Sequence, residues 1–378
     1  MNVAEKKIGI IGGGQLGKMM ILEAKRLGFY VVTLDPEAKC SSSSISDELI
    51  VATLDDEAAF RKLAGKTDVI TYEWELVGIN ALKAIESEGA VIYPSAASLE
   101  IIQDKYMQKT ALKNAGIPVP EFRKVQSPAD IGAGVLKTTK GGYDGKGVAL
   151  IRNEADIEDA YNSLGGGKKE LMLEEFIDFE LEISALACRG IDGRNVIYPI
   201  AENIHSNSIL DTTIVPARLS TETADKATRT ALKVMEVFEG VGTFCVEMFV
   251  DKKGEIYVNE VAPRPHNSGH YTIEGCFANQ FENHIRAITG LPLGNAELRQ
   301  PTVMVNLLGT SDGAARLLGV EQAYRENPRL QVHLYGKEMS KKGRKMGHFT
   351  VIDDYREEAI KKAESARKLI SVTGGQTE

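Results

Sequence analysis

Two glutamates, Glu247 and Glu260, stand in the segments GTFCVEMFV and EIYVNEV, which flank the turn signal from Asp251 to Gly254. Both segments alternate around that turn and read as the strands of a β-hairpin, with the carboxylates at similar distances from its tip. Like charges facing one another there would repel. A magnesium ion between them removes the conflict, because Mg²⁺ takes one or two carboxylates and fills its octahedron with phosphate oxygens and water. Asn259 can add an oxygen beside them. The competing reading puts one glutamate in solvent, and the continuous apolar face of residues 244–250 favours the metal. Directly after Glu260, VAPRPHNSGH gathers Arg264, His266, Asn267, Ser268 and His270 in one loop stiffened by Pro263 and Pro265. Arg264 suits a planar oxyanion such as a carboxylate or bicarbonate, while His266 and Asn267 can donate hydrogen bonds or relay a proton. His266 and His270 are four apart, but Asn267 stands where a zinc-protease helix needs glutamate, and the prolines and glycine disfavour a helix. For His270, His284, His333 and His348 a satisfied structural role is the simpler reading.

A second concentration of chemistry is GVLKTTKGGYDGKGVALI, which sets Lys137 at a strand end, then a glycine turn from Gly141 to Gly147, then another strand. Such a flap can close over a polyphosphate. Backbone N–H groups at Gly142, Gly145 and Gly147 would donate, and lysines such as Lys146 would supply charge, with Tyr143 and Asp144 between them. It is not the phosphate loop that opens a helix. Next, LEEFIDFELEIS carries Glu174, Glu175, Phe176 and Ile177 out of one strand and Glu182 in the next, a combination of backbone groups, apolar walls and carboxylate that an adenosine site would use. Lys105, in QDKYMQK, reads on its own as a solvated lysine. Finally YGKEMSKKGRKMGH collects Lys337, Lys341, Lys342, Arg344 and Lys345 between strand-like segments, either a solvated face or a phosphate-binding loop.

The amino terminus has its own glycine pattern. Gly12, Gly14 and Gly17 form GxGxxG after a strand and at the start of a helix, and Asp35 closes the next strand. That spacing fits a dinucleotide fingerprint and predicts an anion at the helix N-terminus, against the plainer reading of a tight turn that needs glycines for packing. Further on, DVITYEWE places Glu73, Trp74 and Glu75 at the carboxyl edge of a strand, where open α/β sheets bind ligands. Glu73 is either a ligand-orienting carboxylate or a solvated one.

The elements that must position these groups fall into three stretches. Over the first hundred residues, KIGIIG, FYVVTL, ELIVA, DVITY and AVIYP alternate with helical segments, a parallel α/β pattern. A break at AGIPVPEF ends this region near residue 115. The texture then becomes antiparallel α+β, with strands at GVLKTT, GVALIR, ELMLEEF, LEISALACR and NVIYPIA, a helix over Thr221 to Glu239, and the hairpin. From about residue 301 a smaller β-rich section follows: TVMVNLLG, the basic loop, MGHFTVI and a charged terminal helix. The expected division is 1–115, 116–300 and 301–378, consistent with about 150 residues per domain for a chain of 378.

Composition excludes several classes. Hydrophobic residues at 43% and charged residues at 26% are those of a globular enzyme, and a net charge of −8 argues against a general nucleic-acid or anionic-membrane surface. No apolar run reaches the roughly 18 residues of a membrane span, and the start lacks the apolar core of an export signal, so a cytoplasmic setting is expected. Cys40, Cys188, Cys245 and Cys276 are far apart, with no CxxC pair, and read as buried small hydrophobes.

Taken together, GGGQLGKM, KGGYDGKG, NEVAPRPHNSGH and YGKEMSKKGRKMGH resemble the markers of the ATP-grasp carboxylate-amine ligases over nearly the whole chain, and within them the branch that uses bicarbonate in purine synthesis. The resemblance implies an ATP-grasp fold behind a Rossmann-like, parallel pre-ATP-grasp domain, with a small β-rich C-terminal domain. It implies that Lys105, Lys137, the flap from Gly142 to Gly147, Glu174 to Ile177, Glu182, His205 and Asn259 hold ATP, and that Glu247 and Glu260 bind Mg²⁺. The substrate, 5-aminoimidazole ribonucleotide, would meet Gln15, Leu16 and Glu73, with Lys337 and Arg344 on its phosphate, and Arg264, His266 and Asn267 would hold bicarbonate. A homodimer is also implied. The formate-dependent glycinamide ribonucleotide transformylases share the plan but usually carry an acidic residue where Asn267 stands. The chain departs from the family in Lys18, where arginine is frequent, and in IGAG before Lys137, where a proline is common. An NAD-dependent dehydrogenase with Asp35 on a ribose is the rival suggested by the first glycine loop; it leaves the flap, the paired glutamates and the PRPHNSGH loop without a purpose.

Overall fold

A computed structural model describes residues 5–142 and 145–375. Tyr143 and Asp144 of the glycine flap lie outside the described residues. The N-terminal region is a parallel sheet in the order Glu48–Val51, Tyr30–Asp35, Lys7–Ile11, Val69–Tyr72. Its strands are nearly continuous apolar runs because helices cover both faces. One of these, Gln15–Arg26, buries Leu16, Met19, Met20 and Ala24 at helical spacing and shares a core with Phe281, Ile285 and Ile288 of the helix Gln280–Thr289. The segment AVIYP is not a fifth full strand, since only Ile92 forms a parallel bridge, to Ile70.

Asp104 separates two helices, Ala96–Gln103 and Lys105–Asn114. Its carboxylate accepts from the backbone N–H of Tyr106 and Met107 at 3.0 and 3.1 Å, so the second helix begins where its first turn can project Lys105. Beyond this point two antiparallel sheets face each other. The smaller contains Phe122–Val125, Leu171–Glu174, Gly134–Thr138 and Val148–Ile151 in that order, with the flap joining the last two. The larger runs from Ile256–Ala262 through Gly242–Asp251, Phe179–Arg189, Ala201–Ser206, Ile209–Val215, Thr302–Leu308 and Lys345–Ile352 to Gln331–Leu334, with Asn195–Ile197 paired beside Phe179–Arg189. Helix Thr221–Val237 covers it, inserting Ala227, Ala231 and Val234 against Ile183, Phe244 and Val246.

Hydrogen bonding in the large sheet continues across residue 300. Thr212 pairs with Val305 and Asn306 with His348, which carries the C-terminal strands up to the cleft side of the sheet. Strands Gly313–Leu318, Met339–Ser340 and Ser371–Gly375 form a small separate sheet. The hairpin Ala201–Ser206 to Ile209–Val215, which the sequence reading lacked, turns on Asn207 and Ser208, both at positive φ. No helix among the described residues is long and apolar enough to cross a membrane.

Candidate functional site

Between the two antiparallel sheets and the N-terminal sheet lies a cleft of about 550 Å³. Gln15, Leu16 and Glu73 reach it from the carboxyl edge of the parallel sheet, and Lys105 from its helix. Lys137, Gly142, Gly145 and Glu174 to Ile177 line it from the small sheet; Glu182, His205, Glu247, Asn259 and Glu260 come from the large one, and Arg264, His266 and Asn267 from the PRPHNSGH loop. Lys146, Gly147, Lys337 and Arg344 are not part of its lining. Trp74, Glu75, Phe179, Phe249 and Lys345 are; Lys345 belongs to the basic loop that the sequence offers as a phosphate site, and the other four have no role assigned from sequence.

The hairpin register is direct: Glu247 stands opposite Glu260, with a bulge immediately beyond Glu247. Burial, together with the carboxylates of Glu260 and Glu182 and against the pull of His205, pushes the Glu247 carboxyl up to about 7. Lys105 Nζ lies 2.6 Å from Glu260. Burial works against that ammonium, but Glu260 first, then Glu75 and Glu174, hold its pKa above the ordinary lysine value. Two facing carboxylates and an adjacent amide make a hard oxygen set, which fits a magnesium ion.

Lysines also clamp Glu174, which is only 2% exposed. Lys137 Nζ is 2.8 Å from one of its oxygens and 3.2 Å from Asn259 Oδ1, and Lys109 Nζ is 3.2 Å from the other oxygen. Burial would raise the Glu174 carboxyl, but Lys137 and Lys109 together hold it below its usual range. The fully buried Lys109 is pushed down to about 8 by desolvation, against the attraction of Glu174. Sequence reasoning missed Lys109, yet the signal was there: it follows Lys105 by four residues, so both project from one helix face. On the opposite wall His205 Nδ1 meets Glu182 at 2.8 Å.

In the PRPHNSGH loop Arg264, His266 and Asn267 each have partners, whereas the buried Nε2 of His270 has none among the described residues. Arg264 grips Glu75 through Nε and Nη2, and its Nη1 donates to the Pro265 carbonyl at 3.1 Å. Asn267 and Asn306 exchange reciprocal amide bonds of 2.9 and 2.7 Å, and Asn306 also donates to the Leu210 carbonyl. His266 Nδ1 accepts from the backbone N–H of Ser268 at 3.3 Å, which leaves the ring proton on Nε2, 3.4 Å from Glu247 Oε1. Burial, with Arg264 and Lys345 nearby, pushes His266 well below the usual imidazole range, so the ring is neutral at pH 7. His284 has the structural role expected of it: Nδ1 accepts from Thr243 N, and Nε2 meets Thr71 Oγ1 at 2.8 Å.

The first glycine loop is a correction. Gly14 and Gly17 donate their backbone N–H groups to the two oxygens of Glu73, the second at 2.6 Å, and Gly13 donates to Asp35 Oδ2 at 2.7 Å. The anion at this helix N-terminus is therefore a side chain of the protein. The geometry leaves no dinucleotide phosphate cradle, and Asp35, which also accepts from Glu37 N at 2.8 Å, is not free for a ribose. The basic C-terminal loop is likewise more constrained than expected: Lys337 Nζ donates to the Lys345 carbonyl at 2.7 Å and Arg344 Nη1 to the Met339 carbonyl at 3.0 Å. Lys18, the departure that touched no assigned role in the sequence, donates to the Leu334 carbonyl at 3.2 Å and so ties the first helix to this loop.

Three family models match the chain: a ribonucleotide synthetase preATP-grasp domain at residues 5–103, an ATP-grasp domain at 110–281, and a phosphoribosylaminoimidazole carboxylase C-terminal domain at 302–362. The N5-carboxyaminoimidazole ribonucleotide synthase of Staphylococcus aureus (strain COL) is 42% identical over 354 residues, 91% of this chain and 92% of its own. Its counterpart in Bacillus subtilis (strain 168) is 40% identical over 383 residues, 98% and 97% of the two chains. Among solved structures, the N5-carboxyaminoimidazole ribonucleotide synthetase from Thermotoga maritima superposes with a TM-score of 0.89 at 46% identity, over 98% of this chain and 100% of that one. The Aspergillus clavatus synthase, solved with ADP and 5-aminoimidazole ribonucleotide, gives 0.87 at 33% identity, over 97% and 99%.

Proposed function

The chain belongs to the N5-carboxyaminoimidazole ribonucleotide synthase family of ATP-grasp ligases, and we propose that it carboxylates 5-aminoimidazole ribonucleotide with ATP and bicarbonate in de novo purine (IMP) biosynthesis. The products are N5-carboxyaminoimidazole ribonucleotide, ADP and phosphate. The observation that carries this reading is the single cleft in which Gln15 and Glu73, the flap glycines, the facing Glu247 and Glu260, and the loop from Arg264 to Asn267 converge.

Bicarbonate is a poor electrophile and an aromatic amine a weak nucleophile, so one must be activated. A bicarbonate oxygen attacks the γ-phosphorus as the bond to ADP breaks, giving carboxyphosphate. The substrate amine then attacks its carbon, or CO₂ released from it; phosphate leaves and the amine gives up a proton. Lys137 and Lys105 bear on the phosphates, and the flap from Gly142 to Gly147, with Lys146, Tyr143 and Asp144, closes over them to keep water from the intermediate. Glu174 to Ile177 hold the adenine side, and Glu182, paired with His205, the ribose. Glu247 and Glu260, with Asn259 adjoining, would hold Mg²⁺, which when bound neutralises charge on the phosphates. Arg264, oriented by Glu75, and the Nε2–H of neutral His266 direct bicarbonate, with Asn267 fixed by Asn306. Gln15, Leu16 and Glu73 meet the nucleotide, and Lys337 and Arg344 its phosphate. The same reading makes the enzyme a cytoplasmic homodimer, with regions 1–115, 116–300 and 301–378.

The test is ADP release with ATP, Mg²⁺ and bicarbonate, with and without 5-aminoimidazole ribonucleotide. Stimulation by that nucleotide is expected; dependence on formate plus glycinamide ribonucleotide instead would refute the assignment. Glu260→Gln should lower kcat by about 100-fold or more, as loss of one charge-stabilising group does, whereas Lys337→Ala and Arg344→Ala should chiefly raise KM for the nucleotide. Equal kinetic effects from all three would contradict these roles.

A further inference from the structure

The geometry points to a second kind of metal site in the cleft wall, one for a thiophilic divalent cation such as Zn²⁺ or Co²⁺, formed by Cys245, Glu247 and His266. One ligand atom from each residue, the thiol sulfur, a carboxylate oxygen and a ring nitrogen, lies within 4.8 Å of the other two. Cys245 and Glu247 are two residues apart on the strand Gly242–Asp251, so their side chains leave the same face. His266 arrives from the loop that follows the partner strand, with Nε2 at 3.4 Å from Glu247 Oε1.

Tetrahedral zinc, with bonds of about 2.0–2.3 Å to these donors, sets its ligands roughly 3.3–3.8 Å apart. The histidine–glutamate separation already matches that edge. Drawing the sulfur in requires a contraction of at most about 1 Å on this scale, within the reach of side-chain rotation. Two serines stand behind the donors: Ser268 Oγ lies 2.9 Å from His266 Nδ1 and 3.5 Å from Cys245 Sγ, and receives a hydrogen bond from Ser184 Oγ at 2.9 Å. When Nε2 binds the cation, the ring proton moves to Nδ1 and is donated to Ser268 Oγ, the outer-sphere bond that orients metal-bound histidines. The thiol proton is released to solvent. Glu247 and His266 line the cleft and Cys245 lies fully buried beside them, so the fourth position is left to a water entering from the cleft.

Hard Mg²⁺ has no use for the sulfur, whereas Co²⁺ and Zn²⁺ favour thiolate and imidazole. Such an ion would take Glu247 from one side of the hairpin and His266 from the loop, and so withdraw both from catalysis. Binding rests on geometry alone; inhibition rests on the roles proposed above for Glu247 and His266.

The experiment titrates the full chain with Co²⁺ in the absence of nucleotide and follows the near-ultraviolet thiolate-to-cobalt charge-transfer band. One equivalent should saturate it. Cys245→Ala should abolish the band, Cys245→Ser serves if alanine impairs folding, and Cys276→Ala, another buried free thiol, should leave it intact. With saturating Mg²⁺, Cys245→Ala should turn over like the parent but need at least tenfold more Zn²⁺ for half-inhibition. Absence of the band, or its survival in both Cys245 variants, overturns the site. A band that depends on Cys245 while Zn²⁺ leaves turnover unchanged upholds the site and refutes the catalytic roles of Glu247 and His266.

Discussion

The two glycine-rich loops of this molecule begin from the same chemistry and end differently. In the amino-terminal loop, Gly12 donates to the Leu34 carbonyl at 2.8 Å, Gly13 to Asp35, and Gly14 and Gly17 to Glu73, so every one of these backbone donors is satisfied within the protein. In the flap, Gly141 is exposed with φ at 82° and nothing within 4 Å of where a Cβ would stand. Thr138 Oγ1, beneath it, has no hydrogen-bond partner among the described residues. A helix N-terminus and a cluster of N–H groups attract negative charge in either setting. Where a carboxylate of the same chain supplies it, the loop becomes a fixed wall; the flap, on the proposed function, takes its negative charge from the nucleotide.

This contrast can be broken most severely at Glu73. Replacing it with alanine strands the buried N–H of Gly17 and the half-buried N–H of Gly14 at the start of Gln15–Arg26, a helix with no acidic residue in its own first turn. At roughly 1–3 kcal/mol for each unsatisfied group, Glu73→Ala should lose about 2–6 kcal/mol in urea unfolding. Glu73→Gln, which keeps an acceptor oxygen for one donor, should lose less. If alanine leaves the unfolding midpoint unchanged, the internal carboxylate does not hold the loop. Gly17→Ala offers an independent check, because its Cβ would meet the Gly12 carbonyl oxygen at 2.4 Å, a clash with backbone that no rotamer relieves.

The same contrast explains what the sequence could and could not reveal. The hairpin was legible because alternation and a glycine turn are local, and its register then placed Glu247 opposite Glu260. The strands of the parallel sheet were legible as apolar runs. Glu73 was visible as a carboxylate at a strand end, but its engagement with a loop 59 residues away is a tertiary fact. A glycine fingerprint reports loop shape without saying which anion fills it. Asn306 sits inside the apolar run TVMVNLLG, and only sheet pairing brings it to Asn267. The strand Ser371–Gly375 has too few β-branched or aromatic residues to be read locally and exists because it pairs with Gly313–Leu318. Lys109 reads as a solvated lysine until the packing of its helix buries it.

Lys109 sharpens the comparison from the flap side. Lys137 bonds Glu174 in the absence of ligand; when it turns to a phosphate, Lys109 remains as the counterion of a carboxylate that is almost fully buried. Lys109→Met should therefore raise KM for ATP by about tenfold, equivalent to roughly 1.4 kcal/mol, with a smaller change in kcat. The pH dependence has a definite sign. The folded chain holds this proton less tightly than the unfolded one, with the pKa lowered from 10.5 to about 8. The cost of keeping the charge buried is thus fully present below about pH 8, and it fades as pH rises through the window up to 10.5. As pH rises through about 8 the ammonium is lost and Glu174 keeps only Lys137. KM for ATP in the parent enzyme should climb there, while Lys109→Met should already be high and flat. A parallel climb in the variant would exclude Lys109 as its origin.

The smallest effect on stability belongs to the flap itself. Gly141→Ala introduces a side chain into open space, so its only structural cost is the left-handed backbone, about 1 kcal/mol. Urea unfolding should register that or less, well below the loss from Glu73→Ala. The consequence should appear in kinetics, because alanine narrows the conformations through which the flap passes when it closes. KM for ATP and kcat should therefore change together, and ADP formation uncoupled from carboxylated product should rise as water reaches the intermediate. Measuring both products distinguishes this from a simple loss of affinity. Tight coupling with unchanged constants would mean that the freedom of Gly141 is unused, and that the flap, like the amino-terminal loop, is a fixed wall.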